Sequence, residues 1–176
     1  MAPDPFLDPV AIERRATEVG IARFMLSRWG WPIAECLHFF GLCLLFGAVG
    51  LFDLRMLGVA RGITMRHLHK LVPIGVAGFA LSVMTGCCFV VTAPDQYLHN
   101  PALQTKLTLM GIAGINMIAL YASSASHAVA RAPADAMPPR SARVFAVVSL
   151  LCWLGVIVCG RVITAFRPPF HWCAWC

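Results

Sequence analysis

Residues 32–54 read PIAECLHFFGLCLLFGAVGLFDL, with one acid near each end and no lysine or arginine between them. About 20 mainly apolar residues in a helix cross the hydrocarbon core of a bilayer. This stretch is therefore a transmembrane helix, and the rest of the chain can be read outward from it. Three further apolar blocks follow, at residues 71–92, 107–126 and 144–166. Proline stands at or near the start of the first three blocks and just after the fourth, at Pro168-Pro169. A residue without an N–H is harmless in a first helical turn and cannot continue a helix. The fold expected is all-α: an integral membrane four-helix bundle over residues 31–166.

Composition agrees. The chain has 176 residues, of which 59% are hydrophobic and 12% charged. A soluble domain carries about 25% charged residues, so 12% does not cover a water-exposed globule. The net charge of +6 is spread between the blocks, with no lysine-arginine run of the kind that binds nucleic acid. The lipid bilayer is the expected partner, with protein subunits beside it.

Residues 1–30 are expected to form an N-terminal interfacial helix. Asp8-Pro9 reads as a capping carboxylate followed by a first-turn proline. Ile12, Ala16, Val19, Ala22 and Leu26 then recur at helical spacing, with Glu13, Arg14, Arg15, Glu18 and Arg23 between them. That pattern is an amphipathic helix lying in the membrane interface. The acids and arginines also argue against a cleaved signal peptide. Residues 167–176 form a tail rich in cysteine and tryptophan, and residues 128–143 read as a loop.

Four spans place both termini on one side, side A, together with the loop between spans two and three. Side B has Arg55, Arg61, Arg66, Lys70, Arg131, Arg140 and Arg143 near span ends; side A has Arg23, Arg28, Lys106, Arg161 and Arg167. The excess on side B points it to the cytoplasm and the termini to the periplasm, although Arg14 and Arg15 just outside the window would level the count.

Up-and-down threading gathers reactive residues at side A. Cys36, Cys87, Cys88, Cys159, Cys173 and Cys176 fall at similar depth, with His38, His99 and His171, while Cys43 and Cys152 lie deeper. Packing, disulfides and a soft-metal site are the three readings of the thiols. His38 lies about 9 Å along the helix from Pro32, and an ionisable residue at that depth marks a functional site by default. Cys36, Cys43, Gly47 and Gly50 form a small face expected to pack against the bundle. His38 would then turn outward, to an aliphatic surface, a cofactor or a second subunit, or bond Glu35 one turn away.

Haem b is the cofactor to test. His38 would pair with His99 or His171 on side A, and His67 or His69 with His127 on side B. Lys106 and Arg161 would snorkel to headgroups or hold an anionic group such as a haem propionate or a quinone. Copper is the alternative, with His38, His171, Cys173 and Cys176 as ligands; Glu35-x-x-His38 also has the spacing of a carboxylate-bridged di-iron helix, for which a second copy is missing. A cofactor-free scaffold is the third reading. Asn116 is expected to bond across helices. Gly75, Gly78, Ser82 and Gly86 form a close-packing seam on span two, and Gly111 and Gly114 one on span three. No serine-histidine-acid set or phosphate-cradling glycine loop supports an autonomous enzyme.

His38-Phe39-Phe40-Gly41, Asp53-Leu54-Arg55-Met56-Leu57-Gly58, Asn100-Pro101 before Lys106, and Gly160-Arg161-Val162-Ile163 occur in this order. With these stretches, residues 31–166 resemble a family of functionally uncharacterised four-helix bacterial integral membrane proteins. The resemblance implies the architecture and a place in the bacterial inner membrane, and no activity. In architecture alone the chain is also similar to four-helix b-type cytochromes and to membrane copper-handling proteins. The function expected is a membrane subunit of a redox or electron-transfer assembly.

Overall fold

The computed structural model describes residues 8–59, 62–131 and 137–166. The fold is 84% helical, with no strand among the described residues. Two short helices come first, α1 (Pro9–Glu18) and α2 (Ile21–Met25). The first long helix is α3 (Gly30–Met56), followed by the short α4 (Met65–His69) and the long α5 (Val72–Thr92). A four-residue α6 (Pro94–Tyr97) leads to α7 (Pro101–Ala122), then α8 (Ser124–Arg131) and α9 (Arg140–Val162), which ends in a 3-10 turn at Ile163–Phe166. Four helical stretches are long and apolar enough to cross a membrane: Gly30–Met56, His67–Thr92, Pro101–Ala122 and Arg140–Phe166.

Several boundaries differ from the sequence reading. The N-terminal segment is two helices, because Gly20 adopts a left-handed φ of 86° between them. Its Asp8 cap is as expected, accepting from the Val10 amide at 3.2 Å. Ala16, Ala22 and Met25 are buried, whereas Val19 and Leu26 are exposed; α1 and α2 touch α5, and α1 also touches α6. The third long helix begins at Pro101, not Leu107. Asn100 caps it, its Oδ1 accepting from the amides of Ala102 and Leu103. The polar Gln104, Thr105 and Lys106 thus lie inside the helix. It stops at Ser123, whose backbone is extended, and residues 124–131 become α8, where the end of the third span and the start of a loop at 128 were expected.

The bundle is two tightly packed pairs, α3 with α5 and α7 with α9, joined along α3 and α9. In the first pair the backbones touch. A Cβ on Gly78 would stand 2.6 Å from the Gly41 carbonyl oxygen, and one on Gly41 2.6 Å from Ser82 Oγ. The span-two seam is therefore as expected. The small face of α3 is the reverse of expectation: Cys36 and Cys43 are exposed, and Gly47 and Gly50 meet nothing. Gly111 and Gly114 likewise face open space. Close approach depends on what stands opposite: Gly41 and Gly78 meet each other's helix backbone, and Gly155 is met by the Leu109 side chain.

Each end of the bundle has its own cluster. At one end, α4 and α8 bring Met65, Leu68, Ala125 and Val129 against Met56, Leu120, Ala142 and Ala146. At the other, Tyr97, Ala102 and Ile163 pack with Trp31 and Phe89. Buried Asn100 ties this end together, donating from Nδ2 to the Ile163 carbonyl at 3.0 Å. Both ends of the described chain reach this cluster, through α1 on α6 and the 3-10 turn on α7.

Candidate functional site

His38 faces inward, onto α5. Its Nδ1 lies 2.8 Å from Thr85 Oγ1, and its ring meets Phe89 edge-on, with centroids 5.8 Å apart. This contradicts the expected outward orientation. The reason is the Gly41–Gly78 contact, which turns the 38/41/45 face of α3 to α5. Glu35 is exposed, and Thr85, not Glu35, holds the ring.

Thr85 Oγ1 also lies 2.8 Å from the Leu81 carbonyl and 3.2 Å from the Ser82 carbonyl, either of which can take its one hydroxyl hydrogen. With the hydrogen placed on either, Oγ1 accepts from His38, an arrangement in which Nδ1 carries the proton and Nε2 keeps its lone pair. Nε2 makes no hydrogen bond among the described residues. Gly86 stands beside the ring, where an added Cβ would meet Cε1 at an ordinary 3.7 Å.

Lys106, one helix away on α7, reaches across to α9. A Cβ on Gly160 would be 3.7 Å from its Nζ, and its charge is within electrostatic reach of His38 and Cys159. Arg161, next in α9, is exposed. His38 and Lys106 are thus brought towards one another from separate spans. His99 lies exposed in the turn after α6. The other side A ligands expected, His171, Cys173 and Cys176, lie outside the described residues.

At the opposite end, His69 is exposed and bonds within its own helix. Its Nδ1 donates to the Met65 carbonyl at 2.9 Å, leaving the Nε2 lone pair, and its ring stands edge-on to Phe52 and Tyr121. His67 is also exposed, and is bonded to Thr64. Helix α4, which carries His69, touches α8, which carries His127; the His127 side chain is outside the described residues. Among the described residues no three His, Cys, Asp or Glu side chains gather into a metal-binding group. Cys36, Cys43, Cys87, Cys88, Cys152 and Cys159 are free thiols. Cys152 is buried as packing; Cys43, expected to do the same, is exposed.

Sequence reading missed Asp53. It appeared to be a polar stop to span one, yet it is 2% exposed. The Ser149 hydroxyl of α9 is within hydrogen-bonding reach of its carboxyl, and its Oδ2 has no partner. Neighbouring Arg55 is equally buried and donates from Nε to the Ile63 carbonyl at 2.8 Å. Asn116 bonds across helices as expected, from Nδ2 to the Phe145 carbonyl at 3.0 Å. An acid at the edge of an apolar block, followed by an arginine two residues later, is the signal that was available. Comparison with protein-family models, curated proteins and solved structures finds no match to this chain.

Proposed function

We propose that this chain is a multi-pass protein of the bacterial inner membrane and a subunit of a redox assembly, in which His38 would hold haem b. The outer faces of the four long helices support the membrane placement. Phe39, Phe40, Ile115, Ile118 and Leu151 are each more than half exposed, an apolar surface suited to acyl chains and ill suited to water. The resemblance noted in residues 31–166 points the same way.

One observation carries the cofactor reading: His38 Nδ1 lies 2.8 Å from Thr85 Oγ1, and an Nδ1–H donated there leaves Nε2 for a metal. An imidazole ligand is commonly oriented in this way, because a hydrogen bond at one nitrogen sets the tautomer and raises the basicity of the other. Gly86 keeps one flank of the ring clear of side chain. Lys106, and Arg161 at the surface, supply positive charge for an anionic substituent such as a propionate. His99 or His171 would complete the pair on this side, and His69 with His127 would form a second pair near the opposite surface. Bound haem would supply one-electron exchange. The protein's part is to orient the imidazole, neutralise the propionates and exclude water.

The test is an optical spectrum of protein purified from haem-replete membranes. Wild type is expected to show a Soret band and a sharp α band on reduction, and His38→Ala to lose them. Thr85→Val is expected to keep the bands with an altered reduction potential, since it frees Nδ1 without removing the ligand. A featureless visible region in wild type, or unchanged bands in His38→Ala, overturns the assignment. Copper found by elemental analysis in place of haem would move the reading to copper handling.

A further inference from the structure

Helices α5 and α7 stand apart. Each packs on its own partner, α3 or α9, and the two make little contact with each other. Between them lies a cavity of about 220 Å³, with α3 and α9 as its floor. Its walls are almost wholly apolar, and Phe52, Phe79, Tyr121 and Trp153 contribute aromatic surface. Asp53 and Ser149 stand on its floor and Asn116 on its wall. Asn116 Nδ2 is committed to the Phe145 carbonyl, and Ser149 attends the Asp53 carboxyl. Among the described residues that line the cavity, Asp53 Oδ2 therefore remains a buried polar atom without a hydrogen-bond partner. Such an atom lowers stability unless something bonds to it.

We propose that this cleft binds the ring of a neutral quinone or quinol, with one ring oxygen on Asp53 Oδ2 and the isoprenoid chain leaving between α5 and α7 into the bilayer. Size sets the head: a protein cavity of about 150 Å³ takes up benzene, so this one holds a substituted six-membered ring. The aromatic walls offer stacking and edge contacts to a flat ring. The polarity matches as well. A carboxyl accepts from a quinol hydroxyl, and in its acid form donates to a quinone carbonyl. Among the described residues no cation lines the cavity, so a fatty acid or a phospholipid phosphate would meet the acid without compensation. The gap between α5 and α7 opens sideways along the apolar flank, which gives a long chain a route that a sealed cavity would deny. The site lies towards the α4 end of the bundle, away from His38. It stands on its own geometry: loss of haem leaves it intact, and failure of quinone binding leaves the His38 reading intact.

Decylubiquinone titrated into the purified protein in phosphatidylcholine nanodiscs tests the site, read by quenching of tryptophan fluorescence. Saturable quenching is expected, and it should be largely lost in Trp153→Phe, since Trp153 lines the cavity. Asp53→Ala should weaken binding roughly fivefold to tenfold, the change that accompanies loss of one buried hydrogen bond. Gly114→Leu should abolish it, because Gly114 lines the cleft and the backbone there leaves room for a Cβ. That variant decides the matter if Asp53→Ala fails to fold. Unsaturable quenching, or binding unchanged in Gly114→Leu, overturns the proposal. So does equal displacement by dioctanoylglycerol or by a long-chain amine, which would assign the cleft to a glycerolipid or to a cationic amphiphile.

Discussion

The Thr85 hydroxyl has a single hydrogen, and when the Leu81 or Ser82 carbonyl takes it His38 Nδ1 is the donor to Oγ1 and Nε2 keeps its lone pair. Replacing Thr85 by valine keeps the shape and leaves the buried Nδ1–H unsatisfied, which costs about 1–3 kcal/mol. The expected result is a lowered midpoint in thermal unfolding in detergent, with His38→Ala in the same background adding less than it does alone. Additive losses would show that the two side chains are not coupled. His38 was legible in the sequence, since an ionisable group in an apolar run stands out. Its direction was not. Residues 32–54 are apolar on all sides, and the side of α3 that faces α5 depends on Gly78 of another helix. The burial of Asp53 was not legible for a related reason. At the end of an apolar block an acid looks like a solvated stop, and the Ser149 hydroxyl beside its carboxyl comes from α9, almost a hundred residues away.

At the scale of helices, glycines that look alike in sequence should behave differently. Gly78→Ala places a Cβ 2.6 Å from a backbone oxygen, so α3 and α5 must separate along their contact. A loss of several kcal/mol is expected, in the range of overpacked cores. Gly47→Ala meets nothing and should be neutral or stabilising by up to about 1 kcal/mol, from helix propensity. Denaturation curves of the two variants check this, and equal effects would contradict the packing described. Asn100→Ala removes both the α7 cap and the bond to Ile163, and should cost about 2 kcal/mol, one part for the cap and one for the buried hydrogen bond. The Asn100-Pro101 signal was present in the sequence. Hydropathy alone shifted the start of the span to Leu107, because Gln104, Thr105 and Lys106 are polar. Capping chemistry located that helix start better than the apolar count did.

Across the whole molecule, α1, α2, α6 and the 3-10 turn gather at one end, and α4 and α8 at the other. Four apolar blocks and alternating connections made this layout legible from the sequence. The pairing of α3 with α5 and α7 with α9, and so the cleft between α5 and α7, was not, because composition does not say which neighbours part. Both site readings depend on the two ends facing opposite sides of a bilayer. Single cysteines placed in a background lacking the native eight, at Val10, Asp95, Val59 or Met137, measure this directly with a membrane-impermeant maleimide on intact and inverted vesicles. Val10→Cys and Asp95→Cys are expected to label from one side, and Val59→Cys and Met137→Cys from the other. Labelling of Val10→Cys and Val59→Cys from the same side would contradict the account.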